Sequence, residues 1–73
     1  MPKIATYKYL EKVLYKLGFV IVAQKGSHVQ FSNGKLKITV PKHSNKEVSI
    51  GVFGEILTKI NLTRDEFWNI HKK

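Results

Sequence analysis

Leu10, Val13, Leu14 and Leu17 fall at i, i+3, i+4 and i+7, which is one face of a helix. Thr6 precedes the run as a candidate N-cap and Gly18 follows it as a stop, so the spacing predicts a helix over 6–17. The period then changes. Phe19 to Gln24 is β-branched and aromatic and reads as a strand, and its unbroken apolar stretch, residues 19–23, suits a buried one. Lys25-Gly26-Ser27 is turn-like. His28 to Ser32 alternates, with Val29 and Phe31 on one side and His28, Gln30 and Ser32 on the other. Asn33-Gly34 matches a type I′ hairpin turn. Lys35 to Val40 alternates again: Leu36, Ile38 and Val40 form the apolar side, Lys35, Lys37 and Thr39 the polar one. Pro41 ends this strand because it has no N–H to give to a ladder.

The chain returns to a helical period after a polar loop over 42–48. Ser49 is a candidate cap, and Ile50, Phe53, Ile56, Leu57 and Ile60 make an apolar stripe. Gly51 and Gly54 each weaken that helix by roughly 1 kcal/mol relative to alanine. Gly54 is explicable if another element packs closely there. Asn61 ends the helix. Thr63-Arg64-Asp65-Glu66 is a capping box that opens a third helix, which presses Phe67 and Ile70 onto the body. The order α-β-β-β-α-α predicts an α+β sandwich: a three-stranded antiparallel sheet with helices on one face. In that arrangement His28, Gln30, Lys35, Lys37 and Thr39 share the outer face.

Length and composition narrow the function. Seventy-three residues allow one small domain, residues 1–73, of modest stability. Cysteine is absent, which excludes a disulfide scaffold and a thiolate zinc site. No apolar run is long enough for a membrane helix and no secretory signal is visible, so a cytoplasmic protein is expected. Thirteen Lys and Arg stand against five Asp and Glu, a net charge of +8. No carboxylate lies between Lys12 and Lys46, a stretch that also holds Lys16, Lys25, Lys35, Lys37 and Lys42. Such a field repels itself and points to a polyanionic partner, either nucleic acid or an acidic protein. Two-metal nuclease sites need Asp or Glu clusters, so phosphodiester cleavage by this chain is expected to be metal-free.

Three histidines are candidates for chemistry. His28 begins a strand on the polar face, after Gly26, which lets a phosphate approach the backbone, and Ser27, which adds a hydroxyl. An imidazole can move protons at neutral pH, although a solvent-facing strand histidine is the commoner case. His43 lies in the polar loop, and His71 near the end of the last helix complements its dipole. The three lack metal-ligand spacing. Trp68, Tyr9 and Tyr15 can stack on bases or can be half-buried aromatics around a small core.

Lys25-Gly26-Ser27-His28, Val40-Pro41-Lys42-His43, Glu47-Val48-Ser49-Ile50-Gly51, Ile56-Leu57 and Leu62 to Phe67 occur in that order. Together with Leu10 to Leu14 and Leu17-Gly18-Phe19, this set resembles the HicA family, small ribonuclease toxins of type II toxin–antitoxin pairs. The resemblance covers nearly the whole chain. It implies a double-stranded-RNA-binding-domain-like fold, ribosome-independent endonuclease cleavage of single-stranded mRNA, a HicB-type antitoxin that covers the active surface, and no cofactor. The family's catalytic histidine maps onto His28 and its glycine onto Gly26. Val29 departs from the pattern, since many members carry a second histidine there; alternation turns Val29 to the core. The expected RNA-binding set is Lys25, Gly26, Ser27, Gln30, Lys35, Lys37 and His43. The alternative is a non-catalytic domain of the same fold that binds RNA or docks a protein. Against a duplex binder, the second helix lacks a lysine-rich start.

Overall fold

A computed structural model describes residues 4–42 and 47–72. The order is α1 (Tyr7–Lys16), β1 (Val20–Lys25), β2 (His28–Ser32), β3 (Lys37–Pro41), α2 (Ile50–Ile60) and α3 (Arg64–Lys72). The three strands form an antiparallel sheet in the order β1-β2-β3. This is the α+β architecture that the periodicity predicts.

The alternating strands decide which face is dry. Val29, Phe31, Ile38 and Val40 are buried, with Val29 opposite Val40 and Phe31 opposite Ile38. Leu10, Val13 and Leu14 of α1 and Phe53, Ile56 and Leu57 of α2 complete the same core. Phe67 of α3 meets Phe53 edge-on with ring centroids 5.2 Å apart. Burying side chains of this size contributes about 1.5–3 kcal/mol each. Val29 faces this core, as its place in the alternation requires.

Both helix-ending signals are used in the same way. At the end of α1, the Gly18 N–H donates to the Tyr15 carbonyl and the Phe19 N–H to that of Leu14. At the end of α2, the Asn61 and Leu62 N–H groups reach Thr58 and Leu57 in the same pattern, with Asn61 at φ 59. These are Schellman closures, each sealed by an apolar residue that follows the turn. The Ser49 hydroxyl accepts from the Val52 N–H at 3.2 Å. The capping box is reciprocal: Thr63 N–H donates to Glu66 at 2.8 Å, and Glu66 N–H to the Thr63 hydroxyl at 3.2 Å. Lys16 caps the far end of α3, its ammonium donating to the Ile70 and His71 carbonyls at 3.0 and 3.3 Å.

Several expectations are corrected. β1 is an exposed edge strand rather than a buried one, because the helices cover the side of β2 and β3. The β2–β3 connection is not a type I′ turn, which needs positive φ at both central residues. Only Gly34 of the pair has it, at φ 92. The Asn33 carboxamide instead accepts from the Lys35 and Leu36 N–H groups at 2.9 and 2.8 Å. This side-chain-built loop takes up residues 33–36, so Lys35 and Leu36 leave the strand and Leu36 is exposed. Ile50, at the start of α2, is 59% exposed and outside the core. Thr6 stands at the N-cap of α1 but makes no capping bond through its side chain. It forms a bridge with Glu47, and the Val48 N–H donates to Ala5 at 3.1 Å. The end of the expected polar loop is therefore tied down, with Val48 buried.

Gly54 is not an approach point for another element: a Cβ there would meet nothing within 4 Å, and the same holds at Gly51. Their helical cost is left uncompensated. Gly54→Ala is expected to stabilise the protein by about 0.5–1 kcal/mol, raising Tm by roughly 2–8 °C in a thermal melt. A fall in Tm would mean that something does pack there.

Tyr7 gives a pH signature. Its hydroxyl donates to Glu11 at 2.9 Å. Burial first, then this bond and the Glu11 charge, hold the phenol above its ordinary value of 10.0. The folded state thus keeps a proton that the unfolded chain gives up, so this contribution is complete below pH 10 and declines above it. Tyr7→Phe should lower stability at neutral pH by about 0.5–1.5 kcal/mol and flatten the decline above pH 10. Urea melts of both proteins at pH 7 and above pH 10 check this.

Candidate functional site

The β1–β2 hairpin fixes where His28 stands. Lys25 pairs with His28, which leaves Gly26-Ser27 as a two-residue loop. Gly26 has φ 59 at the first loop position, the arrangement of a type II′ turn. The primed turn thus falls at Gly-Ser rather than at Asn-Gly. The Lys42 N–H donates to the Ser27 carbonyl and prolongs the β2–β3 ladder past the His28–Pro41 pair. His28 is therefore held from both sides at the start of the central strand.

Register then sets its neighbours on the outer face. Lys25, His28 and Pro41 form one row across the sheet, and Ala23, Gln30 and Thr39 the next. Adjacent strands lie about 4.8 Å apart, so these residues are in lateral contact range. Ala23, Lys25, His28, Gln30 and Thr39 line a concavity of about 530 Å³. A second cleft, of about 200 Å³, opens between β3 and α2. It is lined by His28, Thr39, Pro41 and Ile38 on the sheet side and by Val52, Glu55, Ile56 and Lys59 of α2. His28 and Thr39 belong to both hollows, so the imidazole stands where they meet. It is exposed and forms no hydrogen bond to a described residue.

The expected binding residues divide into two groups. Lys25, Gly26, Ser27, His28 and Gln30 are gathered at one end of the sheet. Lys37 shares the outer face but pairs with Ser32 at the other end of β2. Four residues at roughly 3.3 Å each put it about 13 Å from His28. Lys35 lies beyond it in the connecting loop, so the structure does not bring these two lysines to the histidine. His43 lies outside the described residues. Thr39, Glu55 and Lys59 line the cleft together with the histidine and lie outside the expected set. Thr39 was visible in the strand alternation; the two α2 residues depend on how that helix crosses β3, which no local pattern encodes.

The aromatic candidates pack on the protein itself. Tyr9, Trp68 and His71 form one cluster, with centroids 4.7 Å apart for Tyr9–His71 and 5.7 Å for Tyr9–Trp68. Tyr15 lies edge-on to Phe31 at 6.0 Å. His71 thus gains ring contacts beyond its place at the end of α3.

The electrostatics are one-sided. None of the three strands carries an Asp or Glu, and Glu55 is the carboxylate that borders the cleft. Among the described residues no three His, Asp or Glu side chains group as a metal site, and no helix is long and apolar enough to cross a membrane.

Gly26 is needed for its conformation, since a Cβ there would meet no atom within 4 Å. Gly26→Ala is expected to cost about 1–3 kcal/mol, because the first position of a type II′ turn lies in a backbone region that essentially only glycine enters, whereas Ser27→Ala at the second position should cost far less. Denaturant melts of the two variants test the order. Equal losses would mean that the positive φ at Gly26 is not the constraint.

A family profile described as the HicA toxin of bacterial toxin–antitoxin matches residues 7–62. Among curated proteins no match is found.

Proposed function

This chain belongs to the HicA toxin family, and we propose that it is an endoribonuclease that cuts single-stranded mRNA without a metal ion and without the ribosome, using His28. The observation that carries this reading is the position of His28. It stands at the junction of two hollows, beside Lys25, on a sheet that carries no carboxylate, with Glu55 of α2 on the far side of the smaller cleft next to Lys59 in that helix.

The chemistry follows from that position. RNA carries its own nucleophile, the ribose 2′-hydroxyl. His28 takes the 2′-proton as general base, or protonates the departing 5′-oxygen as general acid, and water carries the other proton. The 2′-oxygen bonds to phosphorus, the bond from phosphorus to the 5′-oxygen breaks, and a cyclic 2′,3′-phosphate is left. Charge gathers on the non-bridging oxygens as this happens. The Gly26 and Ser27 amides in the exposed turn and the Lys25 ammonium stabilise it. Gln30 and Thr39, one row further along the sheet, hydrogen-bond the flanking nucleotide. Lys37 and Lys35, about 13 Å or more away, hold backbone phosphates beyond it. A positioned acid or base supplies on the order of 10²–10⁴-fold.

The residue chemistry favours a metal-free route. Magnesium is held by clustered hard oxygens, and the outer sheet face offers none from a carboxylate. A single-stranded substrate suits a hollow lined by small and polar side chains better than a duplex does. The start of α2, Ser49-Ile50-Gly51, has no lysine to grip phosphates across a groove. As the toxin of a pair, the protein acts in the cytoplasm and is restrained there by a HicB-type antitoxin.

The test compares the protein with His28→Ala on a single-stranded RNA in EDTA, with circular dichroism on both. The expected result is cleavage by the first, a loss of at least roughly 100-fold in the second, and unchanged folding. A DNA strand of the same sequence should stay intact because it has no 2′-hydroxyl. Equal cutting by both proteins, or of both nucleic acids, would remove His28 and this mechanism from consideration.

A further inference from the structure

β1 is unusual among the surfaces of this molecule. Like β3 it is an edge strand, so one row of its backbone N–H and C=O groups has no partner in the sheet among the described residues, and its side chains set it apart. Val20, Ile21 and Val22 are three consecutive large apolar side chains, 56%, 39% and 51% exposed. Leu36 and Ile50 are also exposed but stand singly, which needs no explanation. A contiguous apolar edge does need one, because it forgoes burial and invites another strand.

We propose that the free edge of β1 is the docking site of the antitoxin, which adds an extended acidic segment to the sheet as a fourth strand. The proposal rests on the toxin reading above. RNA has no row of amides and carbonyls to match a strand edge and no aliphatic side chains to cover three apolar ones. A second copy of this chain is disfavoured by charge. Each copy carries +8, and neither sheet holds a carboxylate to face the Lys25 of the other. An acidic partner strand meets both demands, with apolar residues against Val20 to Val22 and carboxylates toward Lys25.

The edge is also continuous with the site. Ala23 and Lys25 are β1 residues and form a wall of the hollow that holds His28. A strand added about 4.8 Å outside β1 would raise that wall and set its side chains over the hollow, so docking and inhibition are one event. The pairing of β1 with β2 slips between Ile21 and Ala23, leaving Val22 as an extra residue. Such a bulge twists the edge and discourages flat, indiscriminate pairing. The partner strand must fit that twist, which makes the edge selective.

The experiment uses the full chain and the purified antitoxin of its own pair. Backbone hydrogen exchange is followed for the toxin alone and in the complex. The expected result is new protection across Val20–Lys25. The double variant Val20→Lys with Val22→Lys should weaken the complex by roughly tenfold or more while cutting single-stranded RNA at the unaltered rate; Leu36→Lys should bind as before. A complex that leaves β1 exchanging freely overturns this proposal and leaves the ribonuclease reading untouched, since RNA cleavage by free toxin is measured separately. Failure of the unaltered proteins to form a complex overturns it together with the antitoxin partnership. Protection of β1 in a dimer of toxin alone, or by single-stranded RNA and not by antitoxin, assigns the edge to those occupants and also overturns it.

Discussion

The contact on which the rest depends is Phe31 against Ile38. The two lie directly opposite each other across β2 and β3, and both are removed from water. Because strand side chains alternate, a slip of one residue by either strand would put its core side chain, Phe31 or Ile38, into solvent and turn Gln30 or Thr39 inward without a partner. The buried pair therefore locks the register. Register in turn places His28, three residues before Phe31, on the opposite face and beside Lys25. The site is a consequence of packing on the side of the sheet it never touches.

That logic explains how much of the molecule is legible in the sequence. Wherever one side of an element is dry and the other wet, the period shows it: α1, β2, the core of α2, and the outward direction of His28, Gln30 and Thr39. Capping signals are equally local, and Ser49 and the Thr63–Glu66 box act where the sequence places them. The misreadings share one cause, namely that a residue's type does not say what lies across from it. The run at 19–23 is as apolar as a central strand, but the helices that would cover it sit over β2 and β3. Ile50 keeps the helical spacing of Phe53 and Leu57, but lies one turn beyond the end of the core. Asn33-Gly34 has the composition of a tight turn, yet the asparagine carboxamide spends its acceptor on two later amides and makes a longer loop. At the site, the hairpin residues were readable because one turn gathers them. Glu55 and Lys59 were not, because a helix crossing brings them to the cleft that His28 borders.

The molecule also carries costs that its core does not require. Two glycines interrupt α2 with nothing packed against them. Seven lysines between 12 and 46 have no carboxylate among them. Three aliphatic side chains lie open along one edge. In a domain that buries only about 60% of its unfolded surface, each is a sizeable fraction of the net stability. A sequence shaped by folding alone would exchange them for alanine, mixed charge and polar edge residues. Two of these features meet at β1: its apolar edge Val20 to Val22 runs into Lys25, and Ala23 and Lys25 border the hollow beside His28.

This convergence resolves an apparent contradiction. An exposed apolar edge strand is the usual route to aggregation, and a highly charged surface is the usual defence against it. Here both belong to one sheet. The charge is of a single sign, so copies of the chain repel one another where their edges would otherwise join, and the bulge at Val22 adds a geometric bar. The same charge attracts whatever is acidic, whether a polyphosphate along the outer face or a carboxylate-bearing strand along the edge. One field can therefore keep the free protein apart from itself and, on the function proposed above, would also draw RNA toward His28 and an acidic inhibitor toward the strand that walls the same hollow. A neutral sheet with this fold would lose all three properties together, although its core, register and hairpin would be unchanged.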